Sequence, residues 1–239
     1  MESVFERKTE IAPSLCDADG KLGFPDAFAL FMDAAALHAE TLGVGFSAMK
    51  KRGLFWLTAK TKIEFIDRPS IDETVTVRTW PEKPERVRCN RSYELLSGEE
   101  ILLRGKTEWV VFDTTVRRPV PAVGVFPEDL VYKETSACPE PFTRIPDLFK
   151  DVTPYAEYIV RSTDIDIGGH MNNASYLKAL FSTLTTDEIR SLKIRSAEAI
   201  FRTPCYEGDV MTFKKAAYEE GLAFCAESSG QTVFLCLIR

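Results

Sequence analysis

The chain has 239 residues, with 30 Lys and Arg against 36 Asp and Glu, a formal net charge of −6. That balance argues against a broad basic face for nucleic acid, and two histidines, His38 and His170, are too few for a histidine-built metal site. No stretch approaches the roughly 20 apolar residues of a membrane helix, the charged start is not of signal type and the six cysteines form no C-x-x-C pair, so a cytoplasmic protein with reduced thiols, no metal and no cofactor is expected.

In chain order, the first predicted element is a helix over 26–42. Ala27, Phe28, Leu30, Phe31, Ala34, Ala35 and Leu37 make it apolar enough to be largely buried. Pro25 suits its first turn and Gly43 the residue beyond its end. Strands follow over Thr74–Trp80, Arg86–Leu95 and Ile101–Phe112, the last two joined at Ser97-Gly98. Seven of the 13 prolines then fall between Pro119 and Pro154, which reads as a connecting stretch. The order then repeats. A second helix is expected over Asn173–Leu184, with Tyr176, Leu177, Leu180, Phe181 and Leu184 at core spacing. Strands are expected over Ser196–Arg202, Asp209–Tyr218, Leu222–Ser228 and Gln231–Ile238.

Two alignments support a tandem repeat. Asp19-x-x-x-Gly23-Phe24-Pro25-Asp26-Ala27 lies over Asp166-x-x-x-His170-Met171-Asn172-Asn173-Ala174, and Pro69 to Val75 lies over Pro204 to Val210. A helix buried along a curved antiparallel sheet, used twice, gives an α+β fold with units at 1–135 and 154–239 and a proline-rich linker at 136–153.

The segment from Ser162 to Tyr176 carries the chemistry. Asp164, Asp166 and His170 place two acids and an imidazole where the chain enters the second helix. Gly168-Gly169 permits a sharp turn and close approach of a substrate, and Asn172 or Asn173 can cap the helix. Unpaired N–H groups and the positive dipole end at such a helix start can stabilise an oxyanion forming on a carbonyl. An isolated Asp-x-x-x-His is more often a capped helix start, whereas the full string Asp-x-Asp-x-x-Gly-His-x-Asn-Asn-x-x-Tyr is far more specific.

That string resembles the active-site segment of hotdog-fold thioesterases. The chain as a whole, from about Glu10 to its end, resembles the bacterial acyl-acyl carrier protein (acyl-ACP) thioesterases, relatives of the plant fatty-acyl enzymes. Further matching segments run His38 to Gly45, Arg52 to Leu57, Glu73 to Pro81 and Trp109 to Pro119. The resemblance implies a double hotdog and hydrolysis of the thioester between a fatty acyl chain and acyl carrier protein. It assigns Asp166 as general base or nucleophile and His170 as an orienting or charge-stabilising group. The family's amide falls at Gly168, and its frequent glutamate at Pro204, followed by Cys205, so both are replaced here.

Asp164, Gly168, Asn172, Asn173 and Cys205 are auxiliary candidates; Asp164 is expected to hold the loop, and a lone strand cysteine is more often a small buried hydrophobe. The first copy has Asp19 but no histidine at the aligned position, so the second unit is expected to carry the chemistry. The first would form the acyl pocket, with Phe28, Phe31 and Met32 as weak lining candidates that core packing explains equally well. Lys50-Lys51-Arg52 and Arg86-x-Arg88-x-x-Arg91 are candidate contacts for an acidic carrier. An acyl-coenzyme A thioesterase and a non-catalytic acyl-thioester-binding protein are the alternatives, and a homodimer is possible.

Overall fold

A computed structural model describes residues 3–239. Two units divide the chain, Met1–Glu140 and Pro141–Arg239. The first contains strand β1 (Phe5–Glu10), helices α1 (Phe24–Thr41) and α2 (Phe46–Lys51), and strands β2 (Leu54–Phe65), β3 (Thr74–Pro81), β4 (Arg88–Ser97), β5 (Glu100–Asp113) and β6 (Arg118–Val120). Its strands pair antiparallel in the order β1-β3-β4-β5-β2, with β6 on β5.

Helix α1 begins two residues before the predicted start because Gly23 is extended at the cap and Pro25 occupies the first turn. Ala27, Phe28, Phe31, Ala34, Ala35 and His38 form its buried stripe. Below it, alternate strand residues face the helix. The Phe31 ring stacks on Tyr93 at 4.9 Å between centroids, directly over Gly105. A Cβ at Gly105 would stand 2.6 Å from the Phe31 ring, so glycine here is a packing requirement. Strand β2 was not among the predicted elements. Its outer residues Lys60, Lys62 and Glu64 alternate with Thr61, Ile63 and Phe65, but the Leu54–Leu57 run before them shows no such alternation.

His38 lies in the same stripe. It stacks on Phe5 at 5.4 Å, and its Nδ1 stands 3.0 Å from Arg91 Nη1. Arginine only donates, so Nδ1 accepts and the proton of the neutral ring sits on Nε2. Arg91 is thus interior, which removes it from the proposed carrier-facing series and leaves Arg86 and Arg88 on the surface.

The second unit contains β7 (Ala156–Ile159), α3 (Asn173–Ser182), α4 (Thr186–Ser191), β8 (Ser196–Phe201), β9 (Val210–Tyr218), β10 (Gly221–Ser228) and β11 (Gln231–Ile238). Its antiparallel order is β8-β11-β10-β9-β7. Helix α3 stops at Ser182 rather than Leu184, because Thr185 and Glu188 form a reciprocal capping box that starts α4. Tyr176 of α3 stacks on Phe234 at 5.6 Å and meets Phe201 edge-on at 5.7 Å.

The proline-rich stretch is irregular but packed. Ala122, Val125, Phe126 and Leu130 join Cys89, Val111 and Met49 in a core of the first unit. Ile145 and Phe149 cover Ala223, Cys225, Leu235 and Leu237 in the second. Glu198 is buried there, accepting from Thr143 N at 2.7 Å and Thr143 Oγ1 at 2.8 Å. All six cysteines are free thiols. No helix of the described residues is long and apolar enough to cross a membrane.

Burial, reinforced by the Arg91 charge, lowers the His38 imidazole from its ordinary 6.5 to about 4. Between those values the unfolded chain binds a proton that the folded chain refuses. The His38 contribution to stability is therefore complete above pH 6.5 and is lost as pH falls toward 4. Thermal unfolding across this window is expected to show a falling midpoint, and His38→Gln is expected to make that fall shallower. An unchanged pH profile in the variant would refute the assignment.

Candidate active site

The same short device precedes each central helix. A single helical turn (Pro13–Leu15 or Ser162–Asp164) leads into a tight loop closed by one isolated bridge, Cys16 to Leu22 in the first unit and Ile165 to Met171 in the second. Asp17 N donates to Lys21 O at 2.8 Å, and Asp166 N donates to His170 O at 3.0 Å. Gly20 N donates to Asp17 O, and Gly169 N to Asp166 O, both at 3.0 Å. Gly20 and Gly169 both take the left-handed conformation that this turn requires.

These bonds set the correspondence of the two copies and correct the sequence alignment. The counterpart of Asp166 is Asp17, not Asp19, and that of His170 is Lys21, not Gly23. The facing segment shifts as well. Leu22 N donates to Pro69 O at 2.9 Å and Met171 N to Cys205 O at 2.8 Å, which puts Pro69 over Cys205 and Arg68 over Pro204. Sequence matching followed the Ala27/Ala174 identity and could not see the loop hydrogen bonds.

The corrected register exposes the difference between the copies. In the first, Arg68 Nη1 is paired with Asp17 Oδ2 and donates to Leu22 O at 3.0 Å, while its guanidinium lies 4.3 Å from the centre of the Phe24 ring. In the second, the arginine position is Pro204. The Asp166 carboxylate instead accepts from two neutral donors, Gly168 N at 2.7 Å and Asn172 Nδ2 at 3.4 Å.

Asn172 also caps α3. Its Oδ1 accepts from Ala174 N at 2.8 Å, and its own N donates to Asp164 O at 2.8 Å. Asn173 is the first residue of the helix. Asp164 is buried and accepts from Arg161 N at 2.8 Å and Tyr158 Oη at 2.9 Å, so its carboxylate anchors the loop. Burial, with the bond to Asp164, raises the Tyr158 phenol. The half-buried His170 has Nδ1 3.4 Å from Met171 O.

Cys205 is fully buried behind the loop, and burial raises its thiol, which favours the unreactive protonated form. Tyr176 Oη accepts from Cys205 N at 2.8 Å and donates to Thr203 O at 3.4 Å, tying the facing segment to α3. Sequence reasoning placed Tyr176 in the helix core and at the end of the site string without giving it a role, and missed Tyr158 and Arg68 altogether. It also missed the surface character of the loop: Ile167, beside Asp166, is 75% exposed, where the first unit has Ala18. Phe28 and Phe31 lie in the core of the first unit, with Met32 partly buried beside them. Among the described residues, no group of three or more His, Cys, Asp or Glu is placed to hold a metal ion.

Residues 2–128 match the acyl-ACP thioesterase N-terminal domain, and residues 150–233 match the C-terminal domain. The chain belongs to the acyl-ACP thioesterase family. It is 25% identical over 200 residues to the oleoyl-acyl carrier protein thioesterase 2, chloroplastic, of Arabidopsis thaliana, an alignment covering 76% of this chain and 54% of that protein. The chain thus spans about half the length of the curated relatives it matches. An acyl-ACP thioesterase from Bacteroides thetaiotaomicron superposes with a TM-score of 0.86 at 20% identity, over 99% of this chain and 97% of that one. The 12:0-ACP thioesterase from Umbellularia californica gives 0.82 at 20% identity, over 99% and 96%. The fold is the double hotdog expected from the sequence.

The two aspartates are expected to behave differently. Asp17→Asn removes one side of a partly buried ion pair and is expected to cost about 1–3 kcal/mol of stability. Asp166→Asn, whose amide oxygen can still accept from Gly168 N, is expected to stay within about 1 kcal/mol of the parent. Denaturant unfolding of both variants measures the contrast, and equal losses would contradict it.

Proposed function

We propose that this chain hydrolyses the thioester linking a fatty acyl group to acyl carrier protein, with Asp166 as the reacting carboxylate. The observation that carries the reading is the neutral setting of Asp166 at the entrance to α3, set against the arginine-paired Asp17 of the other copy. A carboxylate engaged by a guanidinium has its lone pairs committed to that partner. Asp166 has the same backbone frame without the guanidinium, which leaves it able to engage a water or a carbonyl carbon.

With the thioester carbonyl at the start of α3, the helix dipole favours the oxyanion as it forms. In the base route, Asp166 takes a proton from water as the water oxygen bonds to the carbonyl carbon. The C–S bond then breaks and the departing thiolate takes that proton. In the nucleophilic route, an Asp166 oxygen bonds to the carbonyl carbon, the thiolate leaves, and water opens the resulting anhydride. His170 orients the thioester or steadies the developing charge.

The family's amide position is Gly168 here. Its main-chain N–H holds Asp166 at 2.7 Å, and the side-chain amide close to the carboxylate is that of Asn172, at 3.4 Å. In this reading Asn172 substitutes for the missing side chain and orients Asp166 while capping the helix.

With folding verified, Asp166→Asn is expected to lower kcat/KM for acyl-ACP by about 10²–10⁴-fold. His170→Ala is expected to lose less. Asn172→Asp, which keeps a capping oxygen but removes the amide donor, is expected to fall between them. Undiminished turnover in Asp166→Asn would sink the assignment. Parallel assays with acyl-coenzyme A identify the preferred carrier, and saturable acyl-ACP binding without turnover would make the chain a binding protein instead.

A further inference from the structure

Arg91 is an unusual occupant of a hydrophobic core. It is 5% exposed, and strand alternation points it at α1 together with Tyr93 and Leu95. Its hydrogen-bond partners are His38 Nδ1 at 3.0 Å and Thr79 Oγ1 at 3.3 Å, both reached by Nη1 and both neutral. No carboxylate of the described residues pairs with it. A guanidinium carries five N–H donors, and Nε and Nη2 make no hydrogen bond to the described residues. Removing a cation from water without an anionic partner costs several kcal/mol, so a buried guanidinium held only by neutral groups of the described residues is well suited to receive an anion.

A second observation points the same way. Thr61 on β2, Thr107 on β5 and Arg91 on β4 are paired in one row across the sheet, all facing the helix. Thr107 Oγ1 is engaged by Trp109 Nε1 at 2.6 Å and Tyr93 Oη at 2.9 Å. Thr61 Oγ1 is buried with no hydrogen-bond partner among the described residues, on a residue only 3% exposed. The inner face of this sheet thus carries unused hydrogen-bonding capacity at two places in one row, on Arg91 and Thr61, where an ordinary core would carry aliphatic side chains.

We propose that Arg91, oriented by His38 and Thr79, is the receptor for a carboxylate carried on an aliphatic chain inside the first unit. The surroundings select that ligand class. Phe5, Phe31 and the α1 stripe supply apolar contact for methylenes, and the planar guanidinium offers its unused edge to a planar carboxylate. The carboxylate has two possible sources, a free fatty acid or the far end of an ω-carboxyacyl thioester. The second source rests on the hydrolytic reading above; the first does not.

Calorimetric titration of the full chain with dodecanoate and with dodecan-1-ol tests the site without reference to turnover. Dodecanoate is expected to bind at least about tenfold tighter than the alcohol, as charge-assisted pairing requires. Arg91→Gln is expected to abolish that preference and Arg91→Lys to keep part of it. Equal binding of acid and alcohol, or a preference that survives Arg91→Gln, would overturn the proposal. Should Arg91→Gln fail to fold, the imidazole NMR signals of the parent decide. With only two histidines, His170→Ala identifies the His38 resonance. A carboxylate on Arg91 is expected to move the His38 midpoint upward from about 4, and an unmoved midpoint at saturating dodecanoate would refute the site.

Relative hydrolysis of 12-carboxydodecanoyl and dodecanoyl thioesters on one carrier separates the sources. Faster turnover of the carboxylated chain, reversed by Arg91→Gln, places the carboxylate on the substrate. Equal rates alongside retained dodecanoate binding assign it to free fatty acid. Absence of hydrolysis of either thioester would count against the thioesterase reading alone, because the titration still reports on Arg91.

Discussion

A helix laid across antiparallel strands meets every second residue, and that constraint governs both units. Along β4 and β5 it turns Arg91, Tyr93, Gly105 and Thr107 toward α1 while Lys106 and Glu108 face outward, where Lys106 reaches Glu140 O and Glu108 pairs with Lys60. Packing at the contact point is tight enough that Phe31 needs Gly105 beneath it. The interior polar groups therefore cannot be strays from the surface. A one-residue slip would exchange the two faces along the whole strand, so Arg91 is held inside by the register of its neighbours.

The duplicated loop before each helix is a natural experiment in charge placement. Both copies position an aspartate with the same backbone hydrogen bonds and the same left-handed glycine. One copy adds Arg68 and turns its aspartate into a structural ion pair, braced further by Phe24. The other has Pro204 at that position, and Asp166 is held by Gly168 N and the Asn172 side-chain amide. Neutral donors fix the direction of a carboxylate without committing its charge, which is the condition a base or nucleophile needs.

Much of this was legible in the sequence, for identifiable reasons. Apolar spacing found both central helices, and Gly- or Ser-bearing turns found the hairpins of the second unit to within a residue or two. The strand Leu54–Phe65 escaped because its first half presents Leu-Phe-Trp-Leu without alternation. The loop register escaped because a two-residue shift leaves helix and strand order unchanged; main-chain hydrogen bonds alone distinguish Asp17 from Asp19. Asp164 as the residue that holds the loop and Asn172 as one of two possible helix caps were legible in the sequence, but the groups that hold each of them were not. Tertiary contacts made Asp164 the anchor, held by Tyr158 and Arg161 N.

The same logic bears on why Cys205 is a poor candidate for the reacting group although it lies beside the loop. A thiol reacts as thiolate, and a thiolate needs nearby positive charge or exposure. Cys205 is fully buried, its backbone N is tied to Tyr176, and burial moves its thiol away from ionisation. Pro204 removes the cation that the first unit has at the matching place. In the proposed reading, the proline that leaves Asp166 without a guanidinium also leaves the neighbouring cysteine without a stabilising charge. On that reading, the absence of a cation at position 204 suits a carboxylate as the reacting group and not a thiol.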